Sequence, residues 1–305
     1  MRCRVCGGQA CVDVKRSNTA FCADCYQQYF QRQVARAIKK HDMLGTDDRP
    51  VIAVSGGKDS LTLWQVLLDM GYRADGLHLN LGIGEYSVNS QEKAAAFAES
   101  RGVKLITIGV AEEYGYGIPQ VAKRTARSAC SACGLIKRYL LNKVALERGF
   151  NVLVTGHNLD DEAAALLGNL LRWQSGYLLR QSPVLPSTHP KLLRRVKPLF
   201  RLTEREIAAY GLLRGVDWLV DECPLAAGAA TLRYKEVLNQ LEADSPGTKH
   251  HFYFGFLEKG SSFAAASPPV ELRECARCGQ PTTTEVCAFC RLWEQVKRDK
   301  ALPVT

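Results

Sequence analysis

No stretch of this chain approaches the roughly 20 consecutive apolar residues that a membrane-spanning helix needs, so no membrane segment is expected. The opening residues also lack the apolar core of a secretory leader, because Arg2, Cys3, Arg4 and Cys6 stand where that core would be. Together these absences imply a cytoplasmic protein. Acidic residues are in short supply, 31 against 40 lysines and arginines in 305 residues, which leaves a net charge of +9. A surplus of that sign favours a polyanionic partner. The basic residues are also grouped: Lys123, Arg124, Arg127, Lys137 and Arg138 form one set, and Lys191, Arg194, Arg195, Lys197, Arg201 and Arg205 another. Phosphate neutralisation by such groups is what an enzyme acting on RNA requires. Apart from a pair of cysteine modules there is no internal repeat, and there is no extended low-complexity region.

Cysteine, by contrast, is abundant: there are 12, and all but Cys11 fall into three sets. Cys3-x2-Cys6 and Cys22-x2-Cys25 are fifteen residues apart, the four-thiolate zinc pattern in which each knuckle gives two ligands of a tetrahedron. Cys275-x2-Cys278 and Cys287-x2-Cys290 repeat it around a loop of eight that holds Gly279, Pro281 and a threonine run suited to a ribbon turn. A disulfide framework is the alternative, and the missing leader weighs against it. Cys11, alone among polar residues, is read as an incidental thiol. Cys130, Cys133 and Cys223 make the third set. A CxxC pair with one distant cysteine gives a cubane iron–sulfur cluster three thiolates and leaves its fourth iron open. The same spacing suits a redox pair, with Cys130 and Cys133 forming a disulfide or persulfide that carries sulfur, and spacing does not separate the two.

Between the cysteine modules, apolar strands at Val51–Val54, Ala74–Leu79, Val103–Val110 and Val152–Thr155 alternate with helical patterns near 61–70, 89–101 and 134–148. This rhythm predicts an α/β fold with a doubly wound parallel sheet, because parallel strands require crossovers. A basic amphipathic helix over Tyr29–His41 is expected to connect the first module to this core. Thr203–Leu213 reads as a helix with Thr203 as N-cap and Glu206 completing a capping box. Another helix, over 233–243, is stopped by Ser245-Pro246-Gly247, and a Gly/Ser/Ala-rich linker near 259–269 precedes the second module.

Ser55-Gly56-Gly57-Lys58-Asp59-Ser60 directly follows the first strand and opens a helix. It lacks the GxxxxGK[ST] spacing of a Walker A loop. Two glycines at such a turn let the backbone approach an anion, the helix N-terminus holds it, and Lys58 adds a point charge. The string resembles the PP-loop, SGGxDS, of enzymes that cleave ATP between the α and β phosphates and activate a substrate as an adenylate. Ligands bind at the carboxyl ends of such strands, so this loop, Leu79-Asn80 and Gly156-His157-Asn158 should converge on one crevice. The acids of Asp160-Asp161-Glu162 suit a helix N-terminus, and capping alone would account for them. The functional reading puts Asp161 over the crevice as a magnesium ligand or base, with Asp59 as a second magnesium-directed carboxylate. His157 reads as readily as a satisfied turn histidine and is given no role.

In chain order, SGGKDS at 55–60, Leu81-Gly82-Ile83-Gly84-Glu85-Tyr86-Ser87, Cys130-Ser131-Ala132-Cys133 running on to Arg138, the segment from Gly156, Glu222-Cys223-Pro224 and Pro246-Gly247-Thr248-Lys249 make a more specific set. With the two terminal modules they resemble the TtuA group of tRNA 2-thiouridine synthetases, within the TtcA/TtuA superfamily, over residues 3 to about 292. The related TtcA 2-thiocytidine enzymes lack the terminal pair. The resemblance implies a PP-loop domain of the N-type ATP pyrophosphatase kind, and a tRNA-uridine 2-sulfurtransferase. It implies a [4Fe-4S] cluster on Cys130, Cys133 and Cys223, two Zn2+ ions in the terminal quartets, and ATP with Mg2+. ATP would be held by Ala53, Val54, Ser55, Gly56, Gly57, Lys58, Asp59, Ser60, Leu79, Lys137, Gly156 and Asp161, with Lys137 and Asp161 catalytic.

The implied chemistry is adenylation of the uridine C2 oxygen with release of pyrophosphate, after which sulfide from the open iron attacks C2 and expels AMP. The expected substrate is the T-loop uridine, position 54 of tRNA. The sulfur donor would be a ubiquitin-like thiocarboxylate protein or sulfide, and a homodimer is compatible with the family. Two rivals stand beside this reading: a thiolase of the wobble uridine, position 34, and an amide-forming PP-loop synthetase with no cluster. A non-enzymatic RNA-binding module is a weaker rival, because SGGKDS is intact. The expected organisation is a zinc module at 1–27, a connecting helix and linker at 28–49, a catalytic domain at 50–235, a helical segment and linker at 236–270, and a zinc ribbon at 271–294.

Overall fold

The apolar runs form a six-stranded sheet in the computed structural model, which describes residues 1–178, 181–260 and 271–298. The strands are β3 (Pro50–Val54), β4 (Asp75–Asn80), β5 (Leu105–Gly109), β6 (Val152–Val154), β7 (Val184–Leu185) and β8 (Arg194–Val196), in the spatial order β5-β4-β3-β6-β8-β7. All neighbours are parallel except β7, which pairs antiparallel with β8 at one edge. β7 and β8 lie outside the strands expected from the pattern, because Arg194 and Arg195 hide a short strand inside a charged stretch. Strand order reverses between β3 and β6, and that switch point opens the crevice beyond their carboxyl ends. Helices α2 (Lys58–Asp69), α3 (Gly84–Arg101), α6 (Ala129–Glu147), α7 (Leu159–Leu171) and α9 (Glu204–Leu213) accompany the sheet. α9 begins with the expected capping box: Thr203 accepts from the Glu206 N–H, and Glu206 accepts from the Thr203 N–H. The shorter α4 (Val110–Tyr114), α5 (Ile118–Lys123) and α8 (Ser175–Leu178) fill the connections.

The two cysteine modules are welded to this body by aromatic packing. At the N-terminus a hairpin of β1 (Val12–Val14) and β2 (Thr19–Phe21) leads into α1 (Ala23–Lys40). α1 starts earlier than the pattern suggested, because the second CxxC knuckle itself begins the helix, with Cys22 as N-cap. Its buried face, Tyr26, Phe30, Val34, Ala37 and Ile38, joins the main core. Phe30 stacks on Tyr210 of α9 at 4.2 Å, and the Tyr26 hydroxyl donates to the Glu206 carbonyl at 2.7 Å. The C-terminal module, β9 (Arg273–Glu274), β10 (Pro281–Thr282) and α12 (Ala288–Arg298), shares a second core with α6. There Phe289 stacks on Tyr139 at 3.6 Å and Trp293 on Tyr114 at 4.9 Å. α10 (Ala230–Asp244) and α11 (Thr248–Lys259) pack on α7 and are separated by the Ser245-Pro246-Gly247 stop. Of the glycine- and alanine-rich linker expected near 259–269, residues 261–269 lie outside the described residues. No helix among the described residues is long and apolar enough to cross a membrane.

Candidate active site and metal centres

β3 delivers the chain to Ser55, and the turn that follows owes its shape to Gly56, whose φ of +74° lies in the left-handed region. A side chain there would also collide with the backbone of α3, because a Cβ would lie 2.2 Å from the Ser90 carbonyl oxygen. Ser55 and Ser60 clip the turn, their hydroxyls 3.1 Å apart, and Ser60 donates to the Gly57 carbonyl at 3.0 Å. Gly156, at the end of β6, packs on the start of α2, where a Cβ would stand 3.0 Å from the Asp59 backbone. The loop after β3 and the segment after β6 therefore meet, as the switch-point rule expects. A cavity of about 100 Å³ beside them is lined by Ala53, Val54, Ser55, Leu79 and Lys137, with His78, Leu81, Tyr86, Ser87, Ser90 and Leu141. The last six were not anticipated as site residues, although Leu81, Tyr86 and Ser87 fall in the 81–87 motif. His78 is buried, with Nδ1 3.0 Å from the Val54 carbonyl, so that nitrogen donates and the imidazole is held in one tautomer.

Three acids, Asp59, Asp161 and Glu204, gather at the start of α2. Burial pushes the Asp59 carboxyl up, against the pull of Lys58 at 2.8 Å, and Asp161 and Glu204 push it the same way. Asp161 is held below its ordinary value: burial opposes ionisation, but Lys235 at 2.6 Å outweighs it. Capping does account for part of Asp161, since α7 begins at Leu159 with Asn158 as N-cap and Asp161 closing a capping box. His157 is exposed and bonded through Nδ1 to the Thr155 hydroxyl at 2.9 Å, a satisfied turn histidine.

The third cysteine set is linked to the same cavity through two of its wall residues, Tyr86, which Cys133 and Cys223 influence, and Lys137, which influences Cys133. Ser128 caps α6, whose first turns carry Cys130 and Cys133 and, one turn further, Lys137. Burial raises the Cys133 thiol, while the nearby Lys137 charge pulls it down, and Cys223 and Cys130 add to the rise. Lys137 thus belongs to the cavity wall and its charge also acts on the thiol. Cys223 is brought in by the segment after α9, which is tied to the loop by the Leu219 N–H donating to the Gly56 carbonyl at 3.0 Å. The Cys130 thiol reaches the Leu225 carbonyl of that segment at 3.4 Å. None of the twelve cysteines forms a disulfide.

The terminal quartets differ from this trio in scale. Cys3, Cys6, Cys22 and Cys25 have their sulfurs within 4.8 Å of one another, and so do Cys275, Cys278, Cys287 and Cys290, so each quartet could hold a metal ion. Backbone N–H groups point at these sulfurs, with Cys287 N–H 3.2 Å and Arg277 N–H 3.5 Å from Cys275 Sγ. Hydrogen bonds led by the Cys6 backbone lower Cys3 to about 6, whereas Cys25, crowded first by the Cys22 thiol, is pushed up to about 12. Among the described residues the trio forms no such tight group. The trio offers three free thiols, the donor type that iron–sulfur clusters use.

Of the two basic sets, the second is largely used within the fold. Arg194 pairs with Asp48, Lys197 with Glu162 at 2.8 Å, and Lys191 with Glu274 at 2.8 Å, while Arg201 lies over the Phe254 ring. In the first set Lys123 and Arg127 are exposed close in sequence to Cys130.

A model described as a PP-loop domain matches residues 26–227, and one described as the N-terminal LIM domain of the 2-thiouridine synthetase TtuA matches residues 2–27. The chain is 52% identical to the tRNA-5-methyluridine(54) 2-sulfurtransferase of Thermus thermophilus over 99% of this chain and 95% of that protein. It is 43% identical to the protein of the same name from Pyrococcus horikoshii, over 96% and 94% of the two chains. Among solved structures it is similar to the U34-tRNA thiolase NcsA of Methanococcus maripaludis with its [4Fe-4S] cluster, at 26% identity and a TM-score of 0.83 over 96% of each chain.

Proposed function

The chain belongs to the PP-loop family and, within it, to the TtuA-type tRNA 2-sulfurtransferases, and on that premise we propose that it replaces the C2 oxygen of the T-loop uridine of tRNA, position 54, by sulfur. The observation that carries the proposal is Lys137, which lines the nucleotide cavity and lies close enough to Cys133 for its charge to act on that thiol. A carbonyl carbon that must first be activated by a nucleotide and then meet sulfur has to sit between those two places. The Ser55 and Ser60 hydroxyls and the amides of Gly56 and Gly57 would take the phosphates, with Lys58 as a point charge. Ala53, Val54 and Leu79 would face the adenosine, and the tight contact at Gly156 keeps the segment before α7 against the start of α2. Adenylation makes the C2 oxygen part of a phosphate ester, and the Lys137 ammonium then stands where charge develops on the α phosphate and its leaving group.

Asp59 and Asp161 are the carboxylates that would hold Mg2+, which neutralises polyphosphate charge. A [4Fe-4S] cluster on Cys130, Cys133 and Cys223 would supply an iron without a protein thiolate, a place for sulfide. The terminal quartets have the four-thiolate make-up and amide-to-sulfur bonds of structural zinc sites, and their fusion with both cores gives those ions a folding role. Lys123 and Arg127, beside the trio, would meet tRNA phosphates. Position 54 is favoured over the wobble position because the relatives named for position 54 are much nearer in sequence than the U34 thiolase. Replacing Lys137 or Asp161 by Ala is expected to abolish 2-thiouridine formation while leaving the protein folded, with Asp161→Ala losing only about 1 kcal/mol of capping and ion-pair stability. Retained thiolation would remove that residue from the reaction.

A further inference from the structure

Three consecutive acids open α7, and each meets a lysine from a different part of the chain. Asp160 pairs with Lys249 of α11, Glu162 with Lys197 after β8, and Asp161 with Lys235 of α10. The outer pairs are buried, with both side chains 5% exposed in one and 12% and 4% in the other. The middle pair is open, Lys235 at 19% and Asp161 at 29%, and it is the pair whose carboxylate acts on Asp59 of the PP-loop. Capping uses only one oxygen of Asp161: Oδ2 accepts from the Asn158 N–H at 3.2 Å, and Oδ1 is held by Lys235 at 2.6 Å. Lys235 is itself steadied by Glu204 at 2.5 Å. The Glu204 N–H donates to Asp160 Oδ2 at 2.9 Å, and the other Asp160 oxygen accepts from Lys249. A continuous line of contacts therefore runs from Pro246-Gly247-Thr248-Lys249 to the crevice.

We propose that Lys235 is a positioning residue of the nucleotide site: it fixes Asp161 at the crevice and neutralises part of the Asp59, Asp161 and Glu204 charge that would otherwise repel a triphosphate, with Lys249 as its remote anchor. Close like charges in a partly buried site repel strongly enough to be read in affinity. The inference rests on the assignment of Asp161 to the nucleotide site made above. Its test is a double-mutant cycle on ATP affinity, measured by calorimetry on the intact holoprotein with Lys235→Met, Lys235→Arg, Asp161→Asn and the variant combining Lys235→Met with Asp161→Asn.

Lys235→Met is expected to weaken ATP binding about tenfold, and Lys235→Arg to stay within about threefold of wild type. In the Asp161→Asn background the further loss on adding Lys235→Met should fall below about threefold, because the group it serves is gone. An equal loss in both backgrounds would overturn the proposal and make Lys235 a support of the fold. So would Lys235→Met binding ATP as wild type does. If Asp161→Asn abolishes thiolation and the cycle is additive, only this inference fails. If Asp161→Asn binds ATP and thiolates tRNA normally, the Asp161 assignment fails and this inference with it.

Discussion

The two adjacent glycines of the PP-loop are expected to fail for different reasons when given a side chain. Gly56 has φ +74°, which costs an L-residue about 1–2 kcal/mol. Its added methyl would also stand 2.2 Å from a backbone oxygen of α3, and forcing helix and loop apart belongs with overpacking, about 1–3 kcal/mol. Gly56→Ala should therefore lose about 2–5 kcal/mol of stability, a fall of about 3–8 °C in Tm for a protein of this size. Gly57 has an ordinary φ of −86°, and the nearest atom to a Cβ there is the Ser55 hydroxyl at 3.5 Å. Gly57→Ala should leave Tm within about 2 °C of wild type, because it also reduces the freedom of the unfolded chain. Its methyl instead crowds the amides that approach phosphate, so ATP affinity should fall by about tenfold or more. Thermal melting by circular dichroism and ATP titration by calorimetry read the two effects separately. A Gly56→Ala variant melting with wild type, or a Gly57→Ala variant as unstable as Gly56→Ala, would refute the reasoning.

Lys249→Met should destabilise the protein by about 3–5 kcal/mol in urea unfolding, because it strands Asp160 in a buried site, and adding Asp160→Leu should recover much of that loss. Thr203→Ala removes one half of the α9 capping box and should cost about 1 kcal/mol in the same assay. Metal analysis should find two zinc ions per chain, falling to one in Cys278→Ser with iron unchanged. Cys223→Ser should have the opposite profile after anaerobic reconstitution, with zinc retained and iron lost.

Patterns that are local were legible in the sequence. The PP-loop, the strands that deliver it and the CxxC knuckles each depend on neighbours a few residues away. So does the Thr203–Glu206 box, which forms as expected. What escaped depends on pairing across the fold. Arg194-Arg195-Val196 carries too little apolar character to announce a strand, yet β6 gives it a parallel partner and Arg194 is neutralised by Asp48. The same stretch suggested an open basic surface, and long-range carboxylates consume much of it. Lys235 and Lys249 sit on α10 and α11 with no local sign that their partners lie 74 and 89 residues away, at Asp161 and Asp160. The aromatics that weld both cysteine modules to the body were equally silent, because Phe30 and Tyr139 find Tyr210 and Phe289 only after the chain has folded back.

The measurement that bears most directly on the central reading is anaerobic incubation of the reconstituted protein with unmodified tRNA, magnesium ATP and sulfide, followed by nuclease digestion and mass mapping. The expected result is 2-thiouridine in the T-loop fragment at position 54, formed with release of pyrophosphate and AMP. Thiolation confined to the anticodon fragment would contradict the site assignment, and no sulfur in tRNA from protein that holds its cluster and binds ATP would contradict the reaction.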